Sequence, residues 1–380
     1  MRKKNSVVLT VLMVVLLVGA VGYFVYDRYT ANKVTVTEET VEDTVEEEPV
    51  EEEPVVLRRP VTIKNQVSTP VNAYNLKVNI QVSSDYDMVY SPGNRKGYRY
   101  GPSIMKHDDG TIDMWMSRPG NNSTMWDYIA YRHYDGTEWS EEEIVLKPTP
   151  GSMDQCSCCD PGVIYFNGYY YLAYTGTANY EMGGMDNSAF VARSENPNGP
   201  YEKWNGSSWG GNPYPLVYFT EDQVNWGLGE VSFVSLNDEL YVYHSYVSGA
   251  EVSVRLWKAD MSENWPSTMS FYGAVSYRDT VDSYDIVYDE NLKTFFAFTI
   301  KDRMSASSCL EVLASNNGRD FVRVAYIKGN IMNYSHNMGI MKDEYGHINS
   351  AETLMIGYAF GESWGAWPLI LQDMDISLVN

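Results

Sequence analysis

The sequence predicts an all-β fold, a five-bladed β-propeller, preceded by an N-terminal transmembrane helix and a disordered acidic linker. From about residue 66 to Asn380, short runs of Tyr, Val, Ile, Phe and Trp alternate with Gly, Asn, Asp and Ser clusters. No helical period is sustained, so the local signal is strand and turn. Five segments share one shape: a small or polar head residue, an apolar strand, a turn, and a second strand rich in aromatics. They begin at Gly101-Pro102-Ser103-Ile104, Asp160-Pro161-Gly162-Val163, Glu230-Val231-Ser232-Phe233, Ser283-Tyr284-Asp285-Ile286 and Asn337-Met338-Gly339-Ile340. Successive heads stand 59, 70, 53 and 54 residues apart, which suits one four-stranded blade each. A β-sandwich is the alternative, but it gives no reason for five matching heads.

Taken in order, residues 1–6 carry the positive flank Arg2-Lys3-Lys4, and residues 7–26 contain no charge. Twenty such residues are about enough to cross a ~30 Å hydrocarbon core as one helix. The positive-inside tendency then places the N-terminus in the cytoplasm and everything after Asp27 outside. The expected location is the cell membrane, single-pass, with the propeller on the extracytoplasmic side. A cleaved signal peptide, with Val18 and Ala20 before the cut, is the rival reading. Against it, the apolar run continues beyond the ~7–15 residues of a signal-peptide core. Residues 27–65 form the linker, in which positions 34–53 hold ten carboxylates and no base. Like charges repel there, Pro49 and Pro54 block helix, and little apolar area can be buried. A self-repelling stalk is the expected role, with the propeller over residues 66–380.

Composition removes other classes. Lys and Arg total 28 against 50 Asp and Glu, for a net charge of −22, which argues against a nucleic-acid binder. A hydrophobic share of 44% is enough for a sizeable core and excludes a wholly disordered chain. The turns Asp108-Asp109-Gly110, Asn167-Gly168, Asn237-Asp238, Asp289-Glu290-Asn291 and Glu344-Tyr345-Gly346 follow the five heads. Asn-Gly between apolar runs is the strongest short hairpin signal.

Three motifs resemble the five-bladed propeller glycosidases, typified by glycoside hydrolase family 43 and its relatives. Asp160-Pro161 leads into a hairpin ending Tyr170-Tyr171-Leu172-Ala173-Tyr174. Ser194-Glu195-Asn196-Pro197-Asn198-Gly199-Pro200-Tyr201 looks like the link between outer strands of a blade. Trp226-Gly227-Leu228-Gly229-Glu230 heads a blade with an acid. Ser315-Asn316-Asn317-Gly318-Arg319-Asp320-Phe321 echoes the outer-strand turn. The resemblance spans about residues 98–360 and implies a hydrolase of glycosidic bonds in an oligo- or polysaccharide.

In a propeller the innermost strand of every blade starts near the axis, so the heads converge. Sugar hydrolysis needs two carboxyl groups about one bond, ~5–5.5 Å apart for retention and ~6.5–9.5 Å for inversion. The resemblance assigns Glu230 the general-acid role and Asp160 the role of tuning that acid and orienting substrate. A neighbouring carboxylate favours the protonated form that a general acid needs. The family's general base is an Asp at the first head, but Gly101 stands there. Asp85, Asp87, Asp282 and Asp285 are substitutes without a motif behind them. A glycan-binding propeller that lost the first-blade Asp, without catalysis, is therefore the alternative; a protein-interaction scaffold is a weaker third.

The expected substrate-binding residues are Tyr100, Trp226, His336 and Asn337. Tyr100, Trp226 and Trp115 offer faces for sugar stacking, and Arg99 and Arg118 offer charge to an acidic or hydroxyl-rich substrate. Related propellers place a His at the axis, sometimes near calcium; His336 would be that residue, with no cofactor required. Cys156, Cys158, Cys159 and Cys309 do not form a zinc pattern. Outside the cytoplasm a disulfide at Cys158 or Cys159 is expected, and three pairings are open. The expected partners are a carbohydrate and, through the N-terminal helix, the membrane, with a monomeric chain.

Overall fold

The computed structural model describes residues 70–379, apart from 94–96, 123, 182, 222–223 and 276–282. Twenty of its strands form five antiparallel, four-stranded blades. Blade 1 comprises Tyr100–Lys106, Ile112–Asn122, Met125–Tyr134 and Glu143–Leu146. Blade 2 comprises Ser157–Phe166, Tyr169–Thr177, Ser188–Ser194 and Glu202–Lys203. Blade 3 comprises Gly227–Leu236, Glu239–Ser248, Glu251–Asp260 and Ser270–Ala274. Blade 4 comprises Asp285–Asp289, Thr294–Lys301, Cys309–Ser315 and Val322–Ile327. Blade 5 takes Ser335–Lys342, Leu354–Phe360 and Leu369–Leu378 from the C-terminal part, and its outer strand, Val78–Val82, from the N-terminal part. That last strand pairs Ile80 with Ile376 and Val82 with Met374, which closes the ring and leaves no free inner edge.

The core is divided among the interfaces between blades. One apolar cluster joins blades 1 and 2, others join 2 and 3, 3 and 4, and 4 and 5, and a fifth joins 5 to 1. Strand Tyr169–Thr177 shows why the sequence reads as a continuous aromatic run. Successive side chains of a strand point to opposite faces. Tyr171 and Ala173 enter the cluster with blade 3, while Leu172 and Tyr174 enter the cluster with blade 1. Both faces are buried, so both must be apolar.

The inner strands are latched to one another two residues after three of the five heads. Ser103 Oγ accepts from Val163 N–H at 3.1 Å, and Ser232 Oγ accepts from Ile286 N–H at 2.9 Å. Asp285 Oδ2 accepts from Ile340 N–H at 2.9 Å, and its other oxygen takes a hydrogen bond from Lys342. The equivalent positions in blades 2 and 5 are Gly162 and Gly339. A Cβ there would lie 1.9 Å from Val231 O or 1.8 Å from Pro102 O. The neighbouring backbone occupies the space, so only glycine fits.

The membrane expectation is corrected. Among the described residues no helix is long and apolar enough to cross a membrane. The helical elements there are two 3-10 turns, Ala73–Asn75 and Trp265–Thr268, and everything else regular is strand. Residues 7–26 lie outside the described residues, as does the acidic linker. The anchor, the membrane partner and the single-pass location are not carried further.

Candidate active site

Five residues meet at the propeller axis: Gly101, Asp160, Glu230, Ser283 and Asn337, the heads expected from the sequence. Each has a left-handed backbone, with φ of 57°, 49°, 52°, 59° and 42° in that order. A non-glycine residue held there costs about 1–2 kcal/mol, so the repetition of the conformation around the ring is a property of the design. Hydroxyls of the preceding blade's second strand secure it. Ser117 Oγ accepts from Asp160 N–H at 2.8 Å, Thr175 Oγ1 from Glu230 N–H at 2.9 Å, and Ser245 Oγ from Ser283 N–H at 2.9 Å. These hydroxyls stand 15 or 16 residues after the preceding head, a signal that the sequence reading missed.

Asp160, Glu230 and Asn337 are buried at 9%, 8% and 6% exposure. Asn337 Nδ2 donates to Asp160 Oδ1 and to Glu230 Oε1, at 3.2 Å each. The two carboxylate oxygens are therefore no farther apart than twice that distance. Such proximity suits a carboxylate that tunes its neighbour; an inverting acid and base stand farther apart, ~6.5–9.5 Å, to admit a water. Arg303, from the loop of blade 4, places Nη1 3.7 Å from Glu230 Oε1. The axial cavity among the heads has a volume of only about 30 Å³, roughly one water. A sugar ring must sit above the heads, toward the side from which the inner strands start.

That side carries an aromatic wall between blades 5, 1 and 2. Trp367 meets the His336 ring edge-on at 4.4 Å and Tyr100 edge-on at 5.9 Å, with Tyr98 tilted against it at 5.6 Å. Trp364, 79% exposed, stands edge-on to Trp367 at 4.6 Å and marks the rim. His336 is fully buried, with Nδ1 3.1 Å from Asn337 Oδ1. Burial, helped by Arg303, pushes its pKa down to about 3, so it is a neutral imidazole. Tyr98 OH donates to Asp127 Oδ1 at 2.6 Å, and Ser157 Oγ donates to Oδ2 at 3.2 Å. Asp127 lies in the outward-bound third strand of blade 1, paired with Ser157 of blade 2. Asp127 stands near the start of a third strand far from its blade's head, Arg303 and Trp364 lie in loops and Trp367 in a short strand outside the blades, and sequence reasoning passed over them.

Several candidates go elsewhere. Trp226 is half-buried above blade 3, its carbonyl accepting from Asn187 N–H at 3.0 Å. Trp115 is core: its indole N–H donates to Pro197 O at 2.9 Å and reaches Tyr201 OH at 3.1 Å, fastening the Pro-x-Gly-Pro-aromatic link. Arg99 and Arg118 both bind Glu142 and are engaged in blade 1. Among the proposed bases, Asp85 and Asp87 are exposed near the outer strands of blade 5. Asp282 lies outside the described residues, and Asp285 is the interblade latch to Lys342.

The expected disulfide is also corrected, because all four cysteines are free thiols. Cys158 and Cys159 are neighbours on an extended strand and point to opposite faces. Cys158 Sγ lies 3.6 Å from Asp154 and Cys159 Sγ 3.7 Å from Thr175 O. Burial pushes both thiols up. The corner beside His336 offers an imidazole, the Asn337 amide, aromatic rings and the Arg303 cation, with the Asp160 and Glu230 oxygens on the far side of that amide. Among the described residues no three His, Cys, Asp or Glu side chains gather into a metal site.

Solved structures share this architecture. A family 117 glycoside hydrolase of the marine bacterium Zobellia galactanivorans superposes with a TM-score of 0.57 at 14% identity, over 79% of this chain and 91% of that one. The chain shares the propeller-glycosidase fold. The catalytic domain of the family 62 α-L-arabinofuranosidase of Coprinopsis cinerea gives 0.53 at 12% identity, over 78% and 97% of the two chains. An α-L-arabinofuranosidase of Lactobacillus brevis gives 0.52 at 14%, over 73% and 91%. At these identities the likeness is one of fold. No family model and no curated protein matches the sequence.

Proposed function

We propose that the protein is a glycoside hydrolase acting on an oligo- or polysaccharide, with Glu230 as general acid and Asp160 as the residue that tunes it. The observation that carries this reading is the joining of Asp160 and Glu230 through the Asn337 amide at the axis. Two carboxyls held this close disfavour a second negative charge, which suits a proton donor to the leaving oxygen. Their left-handed backbones are a cost that folding alone does not require of these residue types, and strained positions gather at functional sites. Asn337 would orient the pair, while His336, neutral and buried, would shape the wall beside it. Sugar rings above the heads would stack on Tyr100 and run toward Trp367 and Trp364. The solved relatives named glycoside hydrolase and α-L-arabinofuranosidase agree with a carbohydrate ligand.

A second reading, a glycan-binding propeller without turnover, is favoured by Gly101 at the first head and by Arg303 beside Glu230, a cation that stabilises the charged carboxylate. A glycan screen on the purified protein separates the two. Wild type is expected to release reducing ends from at least one glycan, and Glu230→Gln to bind it with similar affinity but turn it over about 10²–10⁴-fold more slowly. Equal cleavage by Glu230→Gln sinks the acid assignment. Binding by wild type with no cleavage of any glycan establishes the second reading.

A further inference from the structure

Hydrolysis with water as the nucleophile needs a carboxylate besides the acid and its tuning partner, and the first head cannot provide it. Gly101 has no side chain, and a Cβ built there would already lie 3.2 Å from Asp160 Oδ1. Asp285, the other carboxylate among the axial residues, is committed to Lys342 and to Ile340 N–H. Among the described residues a further partly buried carboxylate, Asp127, lies near enough to Asp160 to feel its charge.

Its placement follows from two pairings. Trp126 N–H donates to Cys156 O at 2.8 Å and Asp127 pairs with Ser157, so the third strand of blade 1 meets the inner strand of blade 2 three residues before Asp160. Tyr98, tilted against Trp367, reaches across and fixes one oxygen of Asp127, and Ser157 fixes the other. Both are neutral donors, and a carboxylate has about four lone-pair positions, so oriented capacity remains for a water. No cation is paired with it among the described residues; the nearby Arg99 is turned to Glu142.

We infer that Asp127 is the general base that replaces the missing first-head Asp. The inference rests on the hydrolase reading above. In the step it serves, the water oxygen bonds to the anomeric carbon as the glycosidic carbon–oxygen bond breaks. One water proton passes to Asp127 and the Glu230 proton passes to the leaving oxygen. Solvent then returns both carboxyls to their starting states.

The groups facing Asp127 are Tyr98, Tyr100, Cys159 and Asp160. Burial pushes its carboxyl up to about 7, with the Asp160 charge adding and the Tyr98 hydrogen bond opposing. A base near neutrality accepts a proton more readily than an ordinary carboxylate. It is active only when ionised, so kcat/KM rises with pH through that value.

The test uses the intact protein and an aryl glycoside of a sugar that wild type cleaves. Asp127→Asn is expected to lower turnover about 10²–10⁴-fold and to abolish the rise of kcat/KM with pH. Sodium azide should restore its turnover and yield the glycosyl azide, because an anionic nucleophile needs no base. Tyr98→Phe, which keeps the fold and the carboxylate, removes a donor that favours the charged form and should move the rise to higher pH. Turnover by Asp127→Asn within twofold of wild type overturns the assignment. So does a loss that azide does not repair together with an unmoved profile in Tyr98→Phe, since that pattern belongs to a structural residue. If wild type cleaves no glycan at all, the hydrolase reading falls and the base goes with it.

Discussion

Asn337 shows how much one amide carries at this axis. Its Nδ2 touches both acids, its Oδ1 faces His336, and its own backbone sits at φ 42°. Asn tolerates that conformation because its short polar side chain bonds locally. Asn337→Ala is expected to lower stability by about 1–2 kcal/mol from the backbone term alone. It should also lower kcat/KM about 10–100-fold, the loss of hydrogen bonds to charged groups being worth ~1.5–3 kcal/mol. Asn337→Asp keeps shape but brings a third carboxyl to the pair, and should lose more activity than Ala while losing less stability. Denaturation and kinetics on the same preparations check both statements. An Ala variant with wild-type turnover would remove Asn337 from the site.

At the scale of strands, the latch positions separate structure from chemistry. Asp285 and Lys342 form a buried pair, with side chains 10% and 3% exposed. Asp285→Ala strands the lysine and is expected to cost about 3–5 kcal/mol, whereas Asp85→Ala, on an exposed loop, should cost less than about 0.5 kcal/mol. Turnover per folded molecule should be unchanged in both; a selective loss of kcat in Asp285→Ala would make it catalytic after all. This contrast also shows what the sequence could convey. The five heads were legible because each opens a strand buried on both faces and is followed by a tight turn, so spacing alone finds it. Asp285 looked like a head carboxylate because it sits two residues into the same repeat, and only the register against Ile340 N–H reveals a latch. Asp127, Arg303 and Trp367 were not legible. Asp127 stands near the start of a third strand, Arg303 in a loop and Trp367 in a short strand outside the blades, and only closure of the ring gathers them.

For the whole molecule, burial of titratable groups sets how stability responds to pH. Burial lowers His244 to about 4 and His336 to about 3. Below about 6.5 the unfolded chain takes up protons there that the folded chain does not, so these two residues weaken the fold as pH falls. Asp127, at about 7, and Asp289, raised by burial, act in the opposite sense. Their folded forms keep protons that the unfolded chain has lost, a contribution present below about 3.8 and lost as pH rises through the folded value. Between about pH 4 and 6.5 the two sets oppose each other; above that the histidine terms are spent, while Asp127 ionises and His107, raised by its hydrogen bond to Asp113, sheds its proton, so stability declines. Asp127→Asn should remove the share of that decline owed to Asp127, its gain over wild type being larger at pH 8 than at pH 5 by about 1–3 kcal/mol, read by urea denaturation at both. No such difference would mean that Asp127 is not buried as described. The central claim, that an axial acid donates a proton to a glycosidic oxygen, is tested most directly by leaving-group dependence. For aryl glycosides of one sugar with phenols of graded acidity, the account expects kcat/KM of wild type to vary little. In Glu230→Gln it should fall steeply as the phenol becomes less acidic, the two enzymes converging for the most acidic phenol. Parallel dependences in wild type and Glu230→Gln would contradict it.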